Sequence, residues 1–189
     1  DDPVEGLKFI LSPPLRAKEH QEAIWQGIKD GTLQVIATDH CSFDFHGDKQ
    51  NGKDDFTKCP NGAPGVETRM PIVFSEGVSK GRLSLNEFAA VTSTNPAKIF
   101  GMYPKKGVLA PGSDADIVLM NPDMEVTITK NILHENVDYT PYEGIQVKGW
   151  PVMTMVRGQA VVENERLQVP LGFGRYINRK PVKYTELLK

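Results

Sequence analysis

The sequence predicts an α/β fold, and three observations predict it. Two short apolar runs, residues 7–11 and 33–38, flank a stretch with helical spacing; further helical segments follow; and after about residue 104 helical periodicity gives way to short β-rich runs. The opening order of strand, helix and strand is the one that parallel sheets with covering helices produce.

Residues 7–11 read as a buried strand, because the run stops abruptly at Ser12-Pro13-Pro14, where proline cannot continue a ladder. Across residues 18–30, Ile24 and Ile28 recur at helical spacing beside Ala23 and Trp25, and Gly31 supplies the stop. A helix with one buried face is expected there. Residues 33–38 are again continuous and apolar, as in a strand covered on both faces. Residues 40–65 show no sustained periodicity and are rich in Gly, Asp, Asn and Lys; a connection this long commonly covers a site. Helices are predicted over residues 72–79 after Pro71, over 85–92 behind a Ser84-x-x-Glu87 capping box with Leu85, Phe88 and Ala89 on one side, and from Pro96 to near Gly101. The β-rich runs lie at 115–120, 125–129 and 152–156, and the stretches 152–157 and 160–163 flank Gly158-Gln159, a hairpin signal. Residues 172–189 are basic and turn-rich without a core face, which suits an arm packed on a neighbour.

With 39% hydrophobic and 24% charged residues the chain can bury a core without staples, yet its 189 residues fall short of a complete (β/α)₈ barrel, which takes roughly 250. A net charge of -2 leaves no electrostatic footprint for nucleic acid or an anionic membrane. No apolar run reaches the length of a membrane span. Cys41 and Cys59 form neither a CxxC pair nor a disulfide framework, so reduced thiols in a cytoplasmic protein are expected. The chain opens on Asp1 rather than Met, which suggests an internal starting point.

Thr38-Asp39-His40-Cys41 is the most informative quartet, since an acidic group at the end of a buried strand occupies the usual catalytic position of a barrel. A buried carboxylate there needs a metal, a cation or several donors. Spacing alone leaves open whether Asp39 serves chemistry or caps the following loop. His40, one residue on, points the other way along an extended segment and suits a supporting role. His20 and His46 read as surface histidines; Asp44, Asp48, Asp54 and Asp55 lack calcium-loop spacing; Asp114 and Asp116 are explained by turn chemistry.

Four motifs taken in order, Ser12-Pro13-Pro14-Leu15-Arg16, Thr38-Asp39-His40-Cys41-Ser42-Phe43, Pro60-Asn61-Gly62 with Glu67-Thr68-Arg69, and Gly112-Ser113-Asp114-Ala115-Asp116-Ile117-Val118, resemble the C-terminal portion of hydantoinases and dihydropyrimidinases of the amidohydrolase superfamily. The resemblance runs through almost the whole chain. It implies the C-terminal part of a metal-dependent hydrolase TIM barrel over residues 1–104, part of a β-sandwich over 105–171 and an oligomerisation arm over 172–189. It also implies zinc-dependent opening of cyclic amides such as hydantoins or dihydropyrimidines to N-carbamoyl amino acids, in a homotetramer. In that family the aspartate after the last barrel strand binds one of two Zn2+ ions, which maps onto Asp39; it also takes the proton of the attacking water and passes it to the leaving nitrogen. Backbone groups at Ser12 and Asn61 would hold the cyclic substrate. From the residues alone, Ser12 is a strand stop before proline and Asn61 a turn before glycine.

The family's remaining ligands, a His-x-His pair, a carboxylated lysine bridging the metals and two further histidines, map to no residue here, so the N-terminal part of the same enzyme is an implied partner. The chain taken alone is expected to be inactive. The competing readings are a non-enzymatic dihydropyrimidinase-related adaptor and another cyclic amidohydrolase such as allantoinase. Retention of both Asp39 and Asn61 favours the enzyme.

Overall fold

A computed structural model describes residues 2–182. Its most regular part is a four-stranded antiparallel sheet whose strands follow sequence order: β1 Ile117–Thr127, β2 Gln146–Val156, β3 Gln159–Glu163 and β4 Arg166–Leu167. The runs expected at 115–120 and 125–129 merge into β1. Between them, Pro122 has no N–H to give the ladder, and the register with β2 shifts between Asn121 and Glu125. The hairpin between β2 and β3 is present, but its turn sits one residue earlier than expected, at Arg157 (φ 52°) and Gly158 (φ 79°), with Val156 opposite Gln159. A two-residue turn of this type needs left-handed backbone at both central positions, which places Gly158 second rather than first.

Ahead of the sheet lie five short helices: α1 Pro3–Gly6, α2 His20–Lys29, α3 Arg69–Val73, α4 Leu85–Ala89 and α5 Asn95–Ile99. The helices expected over 72–79 and 85–92 both form, each with a π-helical continuation, Phe74–Ser79 after α3 and Ala90–Thr94 after α4. The capping box opens α4 as read: Ser84 Oγ accepts from the Glu87 N–H at 3.2 Å, and Glu87 Oε2 accepts from the Ser84 N–H at 2.7 Å. Of its expected apolar side only Phe88 is buried; Leu85 is exposed. Among the described residues no helix is long and apolar enough to cross a membrane.

Helices and sheet meet along the α3 turn. Val73, Phe74 and Phe88 form one core with Ile36, Met70 and Met120 against it, the two phenyl rings meeting edge to face at 5.4 Å. Ile128, Leu133, Val147 and Trp150 form a second core that Ile72 joins. Ser75 and Ser79 fasten the contact, one hydroxyl accepting from the Lys148 N–H and the other donating to its carbonyl, each at 3.0 Å. Asp114 and Asp116 hold Lys106, and Asp116 also accepts from the Arg157 N–H at 2.9 Å, so these acids join segments as well as shape a turn.

The first half departs from its expected strand, helix and strand unit. Residues 7–9 form a 3₁₀ turn, and Ile10 onward is extended with no ladder. Residues 33–38 are extended too, but Ile36 N–H donates to Val91 O at 3.2 Å and Ile36 O accepts from Arg69 Nη1 at 2.8 Å. Neither run is buried as expected: of residues 7–11 only Leu7 is buried, and of 33–38 none is, Leu33 being exposed; among the described residues neither run pairs with the other. Helix α2 forms where expected but has no buried residue, and Ile24 is 50% exposed, so its apolar face is not covered by these residues.

The irregular loop after residue 40 is anchored by a third core of Leu7, Phe45, Cys59 and Tyr139, and by Asp138. The Asp138 carboxylate accepts from the N–H groups of Phe45 at 2.6 Å and His46 at 2.9 Å, and pairs with His46 Nδ1 at 2.7 Å. Of the arm expected over 172–189, Lys180 N–H donates to Gly101 O at 2.9 Å and Phe173 O accepts from Arg157 Nη2 at 2.8 Å; residues 183–189 lie outside the described residues.

Burial works to raise the Asp138 pKa, but the His46 and Phe45 amides and the His46 ring outweigh it, and the carboxyl sits below its ordinary range. A depressed carboxylate pKa stabilises the fold above the unfolded value and loses that contribution as pH falls through the folded one. Asp138→Ala should therefore cost about 2 kcal/mol in urea unfolding at neutral pH. The gap between variant and wild type should narrow as the pH falls through the folded-state titration of this carboxyl.

Candidate active site

Three backbone segments converge beside the loop. Asp39 ends the extended run 33–38 with φ 48°, a left-handed conformation that Asp and Asn adopt more readily than other residues with a Cβ. Its side chain is exposed, and among the described residues no hydrogen bond engages its carboxylate. Expected as a buried acid needing compensation, it instead stands open to solvent here, because these residues do not close over the end of the run.

The residues after Asp39 are fixed. Cys41 N–H donates to Ala63 O at 3.2 Å, and His40 N–H donates to Thr38 Oγ1 at 3.3 Å. His40 Nδ1 accepts from the consecutive amides of Gly65 and Val66, at 3.1 and 3.2 Å. A ring nitrogen accepting two N–H groups carries no proton, so its 3.8 Å approach to Glu135 Oε1 is not an ion pair. The next amide, Glu67, donates to that Glu135 oxygen at 3.2 Å. His40 thus turns its Nδ1 onto the loop and braces the left-handed turn at Asp39.

Ser12 and Asn61 are brought together: both are exposed and line one cleft of about 400 Å³ with Phe9, Ile10, Leu11, Pro14, Phe56 and Thr57. Gly62 N–H donates to Ile10 O at 3.2 Å and so sets the two walls side by side. Gly62 cannot be replaced readily, since at φ 151° a Cβ would overlap the Cys41 carbonyl. Asp39 does not line this cleft; it is linked to it through the Cys41–Ala63 bond.

The remaining histidines are engaged elsewhere. His46 pairs with Asp138, and His20 lines a separate surface hollow beside α2. His134 Nδ1 lies 2.7 Å from Glu67 Oε1, and that carboxylate raises the histidine pKa. Among the described residues no three His, Cys, Asp or Glu side chains gather where one metal ion could sit. A zinc site takes about three protein ligands, so the described residues do not assemble a metal centre by themselves. A more enclosed cavity, about 470 Å³, lies between the sheet and α3, lined by Met70, Val118, Trp150, Val152 and Leu167, and has no part of Asp39, Ser12 or Asn61 in its walls.

The sequence reading missed Lys49, Glu135 and Asp138. Lys49 is fully buried, its Nζ donating to Ile10 O at 2.7 Å and Pro60 O at 3.0 Å. Nothing in a polar stretch of loop distinguishes a lysine that turns inward. Glu135 comes from the connection between β1 and β2, with a side chain 4% exposed and Oε2 unpartnered.

Known proteins share this chain's sequence and fold. The chain is 48% identical over 184 residues to a D-hydantoinase of Geobacillus stearothermophilus, covering 97% of this chain and 39% of that protein. It is 47% identical over 180 residues to a D-phenylhydantoinase of Escherichia coli, covering 95% and 39%. The crystal structure of dihydropyrimidinase from Brevibacillus agri NCHU1002 superposes with a TM-score of 0.92 at 50% identity, over 95% of this chain and 39% of the other. The chain therefore spans well under half the length of these relatives. The profile of the Amidohydrolase family matches residues 6–161, more than half of the sequence, and the chain belongs to that family.

Proposed function

We propose that these residues are part of a zinc-dependent enzyme of the hydantoinase or dihydropyrimidinase type that opens cyclic amides to N-carbamoyl amino acids. The observation that carries this reading is Asp39: an exposed carboxylate on left-handed backbone, braced by His40, at the end of an extended run in a chain similar to proteins named as hydantoinases. The relatives compared are named as hydantoinases or a dihydropyrimidinase, and no feature of the fold favours an adaptor or an allantoinase instead.

In this reading the extended runs before Ser12 and Asp39 are two strands of a TIM barrel whose neighbours, like the other metal ligands, lie outside these 189 residues, and the sheet from β1 to β4 belongs to a β-sandwich. The boundaries proposed are 1–104, 105–171 and 172–189. Two zinc ions, when bound, make hydroxide available near neutral pH and polarise the ring carbonyl. Asp39 contributes one ligand oxygen. The same carboxylate takes the proton of the attacking water and returns it to the ring nitrogen as the C–N bond breaks, so Asp39 ends as it began, and the new carboxyl group of the product ionises near neutral pH. Ser12 and Asn61, on facing walls of one cleft, hold the ring by main-chain groups, because a cyclic ureide offers alternating carbonyls and N–H groups at fixed spacing. The unpaired Cys41 and Cys59 suit a cytoplasmic enzyme.

Tyr176, 88% exposed, supports the assignment of an oligomerisation arm, as does Leu171, 95% exposed just ahead of it, although Phe173 and Lys180 touch this chain. Such apolar groups standing in solvent suit burial against another subunit of a homotetramer.

Asp39→Ala in the full-length enzyme should lower turnover of hydantoin or dihydrouracil by about 10³-fold or more and reduce zinc content, since it removes a ligand and the proton carrier together. Normal zinc content with near-normal turnover would sink the assignment. Ser12→Ala and Asn61→Ala should each cost less than about threefold in kcat/KM, whereas Asn61→Pro, which alters backbone at 61 and constrains Pro60, should cost far more. Equal, severe losses in the two alanine variants would show that side chains do the binding. Deleting residues 172–189 from the full-length enzyme should lower its assembly state by light scattering, and an unchanged tetramer would remove the arm's proposed role.

A further inference from the structure

Among the described residues Lys49 is the one fully buried charged side chain, and its amine reaches both walls of the Ser12 and Asn61 cleft. It opens a short 3₁₀ turn, Lys49–Gly52, whose far end packs directly on Cys59 and whose first N–H donates to Asp44 O at 3.0 Å. The backbone of the lysine is therefore set before its side chain is considered. From that anchor the side chain crosses the interior, with relative exposure 0%, and ends on two carbonyls, Ile10 O at 2.7 Å and Pro60 O at 3.0 Å. One acceptor lies two residues before Ser12 and the other immediately before Asn61.

Among the described residues no carboxylate pairs with this ammonium, so its charge is met by backbone dipoles. Burial lowers the Lys49 pKa, while the nearby Cys59 and Cys41 thiols push the other way. A desolvated ammonium is costly unless its donors are satisfied, and a neutral side chain would occupy the same space at lower cost. What a lysine adds here is geometric: one nitrogen donating to two strands of backbone fixes their separation. The Gly62 N–H shares the Ile10 acceptor, so the two walls are tied twice at the same point.

We propose that Lys49 is a positioning residue that sets the spacing between the Ser12 and Asn61 main chains and thereby the affinity of the cleft for a cyclic amide. The proposal rests on the reading of Ser12 and Asn61 as substrate-holding positions. Lys49 touches neither substrate nor Asp39; it acts through the two carbonyls. Because the ring is gripped equally before and during reaction, loss of the strut weakens binding without slowing the chemical step in proportion.

The test is made in the full-length, zinc-loaded enzyme with hydantoin and with dihydrouracil. Lys49→Met, which keeps the length and removes the donors, should raise KM by about tenfold or more while kcat changes by less than about threefold. Zinc content should stay at the wild-type level, and Lys49→Arg, which restores cationic donors, should bring KM back most of the way. An unchanged KM, a loss confined to kcat, or loss of zinc in Lys49→Met would overturn the role. If Lys49→Met does not fold, Lys49→Leu removes the donors in its place and should show the same rise in KM; failure of all three variants to fold would make Lys49 a folding determinant and overturn the positioning role. Wild-type protein inactive on both rings would bring down the underlying reading of the cleft, and the proposal with it, whereas an active wild type with indifferent variants would remove Lys49 alone.

Discussion

An irregular loop holds a shape only when its backbone donors and acceptors find partners, and in residues 40–65 charged side chains supply many of them. Helices and sheets satisfy their amides internally; this stretch has only two 3₁₀ turns to do so. Asp138 takes the N–H groups of Phe45 and His46, and Lys49 gives to Ile10 and Pro60. Just beyond the loop, Glu135 and the His40 ring between them take the consecutive N–H groups of Gly65, Val66 and Glu67. Bonds between a charged group and a backbone amide or carbonyl are stronger than neutral ones, so a few of them replace a ladder.

The same bonds decide where the reacting groups stand. Asp39 sits at the junction between an extended run and this loop, on left-handed backbone. The His40 ring, held by two loop amides, and the Cys41 amide, held by Ala63, determine that conformation from the C-terminal side. Several of the anchors come from far along the chain: Asp138 and Glu135 lie in the connection between β1 and β2. The sheet therefore does more than stand beside the proposed barrel segment. Its longest connection carries the acids that hold the loop, which gives a physical reason for the two parts to occur in one chain.

How far the sequence was legible depended on whether the signal was local. Capping at Ser84 and Glu87, the helical spacing around Ile24 and Ile28 and the β-rich runs after residue 104 are decided by neighbours a few residues apart, and each produced its element. The runs 7–11 and 33–38 carry only half of what a strand needs, since their apolar character says nothing about who pairs with them. The hairpin was found but shifted by one residue, because the turn's demand at Arg157 is visible only in backbone angles. At the candidate site, Asp39, Ser12 and Asn61 were singled out through the family motifs, and the shared cleft of Ser12 and Asn61 emerged only with the chain folded. Lys49, Glu135 and Asp138 act on segments between about 10 and 90 residues away in sequence, and no periodicity records such a reach.

The meander from β1 to β4 has a kinetic consequence. Strands adjacent in the sheet are adjacent in the chain, two of the three connections are two-residue turns, and closing them costs little chain entropy. The pairings from β2 to β4 are therefore local, although the long β1–β2 connection and the contacts of Ile72 and Phe74 reach further along the chain. The extended runs at residues 10–12 and 33–38 have no local partner and settle only after remote contacts are made. The sheet thus rests mostly on pairings between neighbouring segments, whereas the run that ends at Asp39 is held by Val91 and Arg69, far along the chain.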